Sequence, residues 1–213
     1  MYTPEHFAED DIEAQLQLIR SAPFATLITA DVEASPQVTH IPLVIEGDGP
    51  DWRLIGHMAR ANPHWQAFGG DAVSTAIFHG PHAYVSPIWY DDPNRSVPTW
   101  NYAVVHVRGR PRVVEEERAR EILQISTSLF QASLLQEGVG EAWGMDDARQ
   151  FVAGRLQAIV AFELMPEQVQ GKFKLSQNRS DADRARVIDR LAALDDAESQ
   201  ATAALMRERG LSS

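Results

Sequence analysis

The chain has 213 residues, no cysteine and a formal net charge of −11. That length buries one substantial core without disulfide or metal staples, and the missing thiols exclude a disulfide framework, a cysteine nucleophile and a cysteine zinc site. The acidic balance opposes docking on nucleic acid, where phosphate contacts supply much of the affinity.

No stretch approaches the roughly 20 apolar residues of a membrane span. The opening Met1-Tyr2-Thr3-Pro4-Glu5 lacks the basic-then-apolar order of a signal peptide, so the reading is cytoplasmic and not membrane-bound.

In chain order, Asp10 to Arg20 reads as a short amphipathic helix, with Ile12, Leu16 and Ile19 at helical spacing behind an Asp cap and Glu13 three residues later. From Phe24 the pattern turns to β-branched and apolar runs: 24–29, 38–45, 52–57, 72–78, 82–86 and 99–107. Turn clusters such as Glu46-Gly47-Asp48-Gly49-Pro50 and Asp91-Asp92-Pro93-Asn94 separate them, and His79-Gly80-Pro81-His82 is expected to span another turn.

Residues 115–136 look helical, with Ile122, Leu123, Ile125, Leu129 and Leu134 as apolar positions and Gly138 and Gly140 as terminators. Strands are expected at 158–164 and 169–175, then a charged helical tail capped by Ser180. Many short strands with few long helices predict a mainly β, α+β domain built on an antiparallel barrel over 1–180, with flanking helices and a helical tail over 181–213 packed on or extending from it. No G-x-G-x-x-G occurs, which argues against a dinucleotide fold.

Three stretches could carry chemistry. Gly56-His57-Met58-Ala59-Arg60-Ala61-Asn62-Pro63 sets a cation before an Asn cap and a first-turn proline. Free amides at such a helix start, joined by the Arg60 fork and nearby His57, make an anion pocket. An ordinary strand, loop and helix with a solvated arginine accounts for the same residues.

Lys172-Phe173-Lys174-Leu175-Ser176-Gln177-Asn178-Arg179 holds the only two lysines of the chain. Strand alternation puts them on one face with Ser176, and Phe173 and Leu175 toward the core. They lie in the one basic island, which continues through Arg184, Arg186 and Arg190. Val97-Pro98-Thr99-Trp100-Asn101-Tyr102 offers stacking surface beside hydrogen-bonding groups, as a planar heteroaromatic ligand requires, or anchors for a barrel rim or dimer contact.

Six histidines, His40, His57, His64, His79, His82 and His106, lie in the sheet-rich half without H-E-x-x-H or H-x-H spacing, so no metal site is expected. No residue stands out as catalytic. Ser86 lacks a G-x-S-x-G context.

Taken in order, these stretches resemble the PaiB-type family of FMN-binding negative transcriptional regulators. Met1 to Phe7, Phe24 to Ile28, Thr39-His40-Ile41-Pro42, the 56–63 stretch, Gly80 to Pro87, Val97 to Tyr102 and Lys172 to Asn178 carry the likeness, which runs from the first residue to about Arg190.

The resemblance implies an FMN-binding split barrel akin to pyridoxamine-phosphate oxidase-like folds, a homodimer sharing the flavin cleft, and a regulatory role. Carried over residue by residue, it implies that Arg60 and Asn62 take the phosphate with His57 nearby and that Thr39, His40 and Ile41 line the isoalloxazine edge. It implies further that Trp100 and Asn101 close the cleft, and that Lys174 and Gln177 reach the flavin from the partner subunit.

A further reading is direct DNA binding through the basic island from Lys172 to Arg190, which the net charge of −11 opposes. The competing reading is a flavin-dependent oxidoreductase of an unknown small molecule, or a haem-handling barrel using His106 or His40 as axial ligand.

Overall fold

The protein is described from a computed structural model, which covers residues 1–30, 35–139, 141, 143–145 and 154–210. Among the described residues there are seven strands: β1 (Ala8–Glu9), β2 (Phe24–Thr29), β3 (Gln37–Glu46), β4 (Arg53–Ala59), β5 (Ser74–Val85), β6 (Thr99–Val113) and β7 (Ile159–Lys174). Their order is β1-β7-β4-β3-β2-β5-β6 with β7 also pairing β6, so β2 to β7 close an antiparallel barrel and β1 is an extra strand beside β7. Closure removes the exposed edges that an open sheet would offer for aggregation.

By its contacts the chain forms two compact units, one of 1–22, 78–106 and 170–213, the other of 23–77 and 107–169.

The second of these carries the antiparallel registers Phe24↔Pro42 through Thr29↔Gln37 and Leu54↔Leu164 through Ala59↔Ile159. Leu27, Leu43, Leu54, Phe162 and Leu164 are fully buried in it. Gly56 permits close packing there, since a Cβ would stand 2.5 Å from Leu43 Cδ2.

Helix α2 (Glu116–Gln136) lays Ala119 and Ile122 on Val44, Ile55 and Ala161. Burying Ile122 completely contributes about 2 kcal/mol. Its later apolar positions differ from the predicted stripe: Leu129 and Leu134 are exposed. Gly138, at φ +71, follows the helix as expected, while Gly140 lies outside the described residues.

In the other unit, α1 (Ile12–Ser21) is capped by Asp11, not Asp10: the Asp11 carboxylate accepts from the Glu13 amide at 3.0 Å. Its buried face is Gln15, Leu16, Leu18 and Ile19, whereas Ile12 is exposed.

The expected break at 79–82 is absent, because β5 runs through it. Gly80 serves close packing, since a Cβ there would lie 2.8 Å from Leu18 Cδ1 and 3.2 Å from the Ala103 carbonyl. The burial alternation slips by one residue at Pro81 and His82, so His79, His82 and Tyr84 are all exposed. The two strands expected at 158–164 and 169–175 are likewise one continuous β7.

The tail forms α3 (Asp181–Ala192) and α4 (Ala197–Glu208). As expected, the Ser180 hydroxyl caps α3, accepting from the Asp183 amide at 3.2 Å.

Candidate functional site

The ten residues singled out from the sequence fall into two groups, one in each unit. In the unit of 23–77 and 107–169, strand alternation turns Thr39 and Ile41 to one face of β3 and His40 to the other. Ile41 is buried, while His40 is exposed with Nδ1 3.1 Å from Thr26 Oγ1. The three residues therefore do not present their side chains together.

Thr39 instead meets Asn62. The Asn62 side chain accepts from the His64 amide at 3.0 Å, and its Nδ2 donates to Thr39 Oγ1 at 3.0 Å.

The same threonine oxygen lies 2.7 Å from His64 Nδ1, and His64 Nε2 lies 2.7 Å from Thr29 Oγ1, itself 2.6 Å from Ser74 Oγ. His64 is only 1% exposed, and burial holds its imidazole below the ordinary 6.5. A neutral ring donates from one nitrogen and accepts at the other, so one tautomer fixes the direction of the whole chain of hydroxyls. Sequence reading counted His64 among six histidines and missed this role; its one local signal is its position two residues after the Asn62 cap.

Asn62 does cap as expected, but the helix that follows is a short 3-10 turn, Pro63–Ala67. The row of free amides is correspondingly reduced. The Asn62 amide donates to the Ala59 carbonyl at 2.9 Å, and the His64 amide to Asn62 Oδ1.

Arg60 is exposed but anchored: Nε donates to the Gln157 carbonyl and Nη2 to that of Ile159, each at 2.7 Å. Its remaining guanidinium nitrogen, Nη1, stands outside both bonds. Trp65 Nε1 donates to the Arg60 carbonyl at 3.0 Å, which fixes the loop. His57, opposite Ala161 on β4, is half-buried, and that burial lowers its pKa.

The other unit holds Trp100, Asn101, Lys174 and Gln177. Trp100 is 52% exposed, with ring centroids of His82 and Tyr84 at 6.2 and 6.0 Å. A cleft of about 420 Å³ lined by His79, His82, Trp100, Tyr102 and Val104 opens beside it.

Asn101 points the other way: fully buried, it donates to Ser176 Oγ at 3.0 Å and to Met206 Sδ at 3.3 Å. Ser176, which sits at φ 64, is thus pinned where the chain leaves β7. Gln177 also folds back, accepting from the Leu175 amide at 2.6 Å and donating to the Phe173 carbonyl.

Lys174 Nζ donates to Thr99 Oγ1 and the Trp100 carbonyl, while Lys172, 8% exposed, donates to the Tyr2 carbonyl at 3.0 Å. Burial, then the charges of Lys172 and Arg179, lower the Lys174 pKa. The predicted core positions hold, with Phe173 and Leu175 both buried.

Further along the basic island, Arg184 is buried and donates to the Gly210 carbonyl, and Arg186 pairs with Asp183 at 2.6 Å and Asp91 at 3.5 Å. Those two cations are committed to internal partners and do not make a free basic face. Among the described residues, no three His, Asp or Glu side chains are grouped to hold a metal. A separate cavity of about 480 Å³, lined by Leu18, Phe173, Leu205 and Glu208 among others, contains none of the ten.

The family model described as "Putative FMN-binding domain" matches residues 1–168. The protease synthase and sporulation protein PAI 2 of Bacillus subtilis is 30% identical over 209 residues, covering 98% of each chain.

Among solved structures, a flavocytochrome from Azotobacter vinelandii aligns with a TM-score of 0.60 at 16% identity, over 84% of this chain and 75% of that one. The FAD and heme binding protein from Mycobacterium smegmatis gives 0.58 at 18%, over 84% and 78%. At such identities the structural likeness is one of fold.

Proposed function

The chain belongs to the FMN-binding domain family and takes FMN as cofactor, and on that premise we propose that it acts as a homodimeric, flavin-dependent sensor in negative transcriptional regulation. The observation that carries the reading is the family match over residues 1–168. The Bacillus subtilis relative, named for protease synthesis and sporulation and similar along its whole length, supports the regulatory half.

The residues fit such a ligand. In one unit, Arg60 Nη1 stands outside the two bonds that fix its guanidinium, beside the Asn62 turn, and takes the phosphate. Thr39 and His57 belong to the same group. In the other unit, the half-exposed Trp100 offers a stacking face and Lys174 a cation. Asn101 and Gln177 act indirectly, by holding the backbone that carries Lys174 and Ser176. Bound FMN supplies one- and two-electron transfer; the chain binds and orients it.

An apolar surface supports the homodimer. Phe24 and Val38 are 67% and 54% exposed on neighbouring strands, with Ile28 opposite Val38 and Pro42 opposite Phe24. The Thr26–His40 pair lies between these two apolar pairs on the same face, and a sheet face with apolar residues on both sides of a polar pair is one a second copy covers. Phe24→Glu with Val38→Glu then shifts the sedimentation coefficient to that of a monomer.

No described helix is long and apolar enough to cross a membrane. A sensor and an oxidoreductase differ in turnover. A sensor's flavin is reduced once per chain by NADH or NADPH and cycles no further with added small-molecule acceptors. Sustained turnover would move the protein to the oxidoreductase reading, and a Soret band on haem addition that His106→Ala removes would move it to haem handling.

A further inference from the structure

Lys172, Lys174 and Arg179 are an anomaly in a chain of net charge −11 that has only these two lysines. Arg53, Arg110, Arg118, Arg186 and Arg209 all meet carboxylates. Among the described residues these three meet none, and whereas other arginines without a carboxylate partner, such as Arg95, Arg108 and Arg190, are exposed, Lys172 is buried and Lys174 and Arg179 are half-buried.

They lean instead on neutral groups. Lys172 Nζ stands 5.6 and 5.4 Å from the Tyr2 and Tyr102 ring centroids, Lys174 Nζ 5.8 Å from that of Phe7, and the Arg179 guanidinium 4.2 Å from that of Tyr90. Rings and carbonyls soften a buried cation's loss of water but do not cancel its charge. The charges also act on one another, since Lys172 and Arg179 both disfavour the protonated form of Lys174.

Two buried polar groups lack their full set of partners. The Lys172 ammonium has three protons and donates one hydrogen bond, to Tyr2. The Tyr90 hydroxyl, in a residue 4% exposed, has none. Keeping three uncompensated cations together costs stability, and an oxyanion relieves that cost.

We propose that Lys172, Lys174 and Arg179 form an oxyanion-binding cluster, distinct from Arg60, that takes the phosphate or carboxylate of a small molecule. The cluster uses lysines as compact point charges and one arginine fork, a combination suited to a tetrahedral or carboxylate oxyanion. The oxyanion belongs to a ligand separate from the flavin, whose phosphate is assigned to Arg60.

Inorganic phosphate is the probe, with thermal unfolding of the flavin-free full chain as the readout and sodium chloride at equal ionic strength as control. Phosphate raises the melting temperature of the wild type, and Lys174→Met and Arg179→Met each weaken the apparent affinity roughly tenfold, as loss of a charge-assisted contact does. Lys174→Arg restores part of it, and the weakening by Lys174→Met persists in an Arg60→Met background, where phosphate taken by Arg60 is removed.

The part of the phosphate effect that Lys174→Met removes survives FMN loading; its loss on loading with FMN but not with riboflavin would give the cluster to the flavin's phosphate and overturn the separate ligand. No shift beyond the chloride control, equal shifts in wild type and Lys174→Met, or loss only in Arg60→Met would overturn the inference. Failure of FMN to bind at all, with the phosphate shift intact, would count against the flavin reading alone.

Discussion

The hydroxyl of Thr39 on β3 lies 2.7 Å from the ring Nδ1 of His64, a residue 1% exposed. Through this contact the strand that carries Thr39, His40 and Ile41 is tied to the loop that carries Arg60 and Asn62. His64→Ala breaks the tie and leaves the Thr29 and Thr39 oxygens without their shared partner. The expected cost is about 2–4 kcal/mol, combining unsatisfied hydroxyls with a cavity. Urea denaturation measures it, and a loss under about 0.5 kcal/mol would mean the network does not stabilise the barrel.

Acid should destabilise the protein before its carboxylates titrate. Burial lowers the pKa of His57, His64 and His106, with nearby positive charge adding to the effect at His106. A lowered folded-state value means that the unfolded chain takes up protons first. The histidine contribution is therefore complete above the ordinary 6.5 and is lost as pH falls through the folded values. Melting temperatures measured from pH 8 down to pH 5 should decline below about 6.5. A flat profile over that window contradicts the lowered values assigned to buried His64 and half-buried His57 and His106.

Much of the fold was legible because strand alternation and end-capping are local. The run 24–29 and the Ser180 cap sit where the pattern put them. What stayed hidden depends on partners far along the chain. Gly80-Pro81 reads as a turn from its own chemistry, yet Leu18 and Ala103 crowd Gly80 into a strand.

Arg60 was singled out as a cation to grip a phosphate, but its anchors at Gln157 and Ile159 are backbone carbonyls, which no side-chain pattern reports. The two lysines drew notice for rarity, whereas Tyr2, which takes a bond from Lys172, is separated from it by nearly the whole chain. Asn101 and Gln177 carried the right chemistry in a motif, but burial of one and a local loop-back of the other commit both to the protein itself.

Gly109 marks a close approach with no room for a methyl group. A Cβ there would lie 2.1 Å from the Met165 carbonyl oxygen, a backbone atom that cannot swing aside. Gly109→Ala should cost more than about 3 kcal/mol, because the strands must separate to admit it. Chemical denaturation of the purified variant, or its failure to accumulate as folded protein, reads the effect; wild-type stability would contradict the strand packing.

Neutralising the basic island tests structure before it tests any nucleic-acid contact. Arg184, 8% exposed, donates to the Gly210 carbonyl, whereas Arg186 pairs with aspartates on more open surface. Arg184→Ala is expected to cost about 2–3 kcal/mol and Arg186→Ala under about 1 kcal/mol, both by thermal unfolding. Equal, negligible effects would contradict the internal role given to Arg184.

The visible absorption spectrum of the purified chain, before and after addition of FMN and gel filtration, tests the central claim most directly. FMN binding predicts a protein that is yellow as isolated, or that retains about one flavin per chain after loading, with tighter retention of FMN than of riboflavin. A colourless protein that releases all added FMN on the column would contradict it.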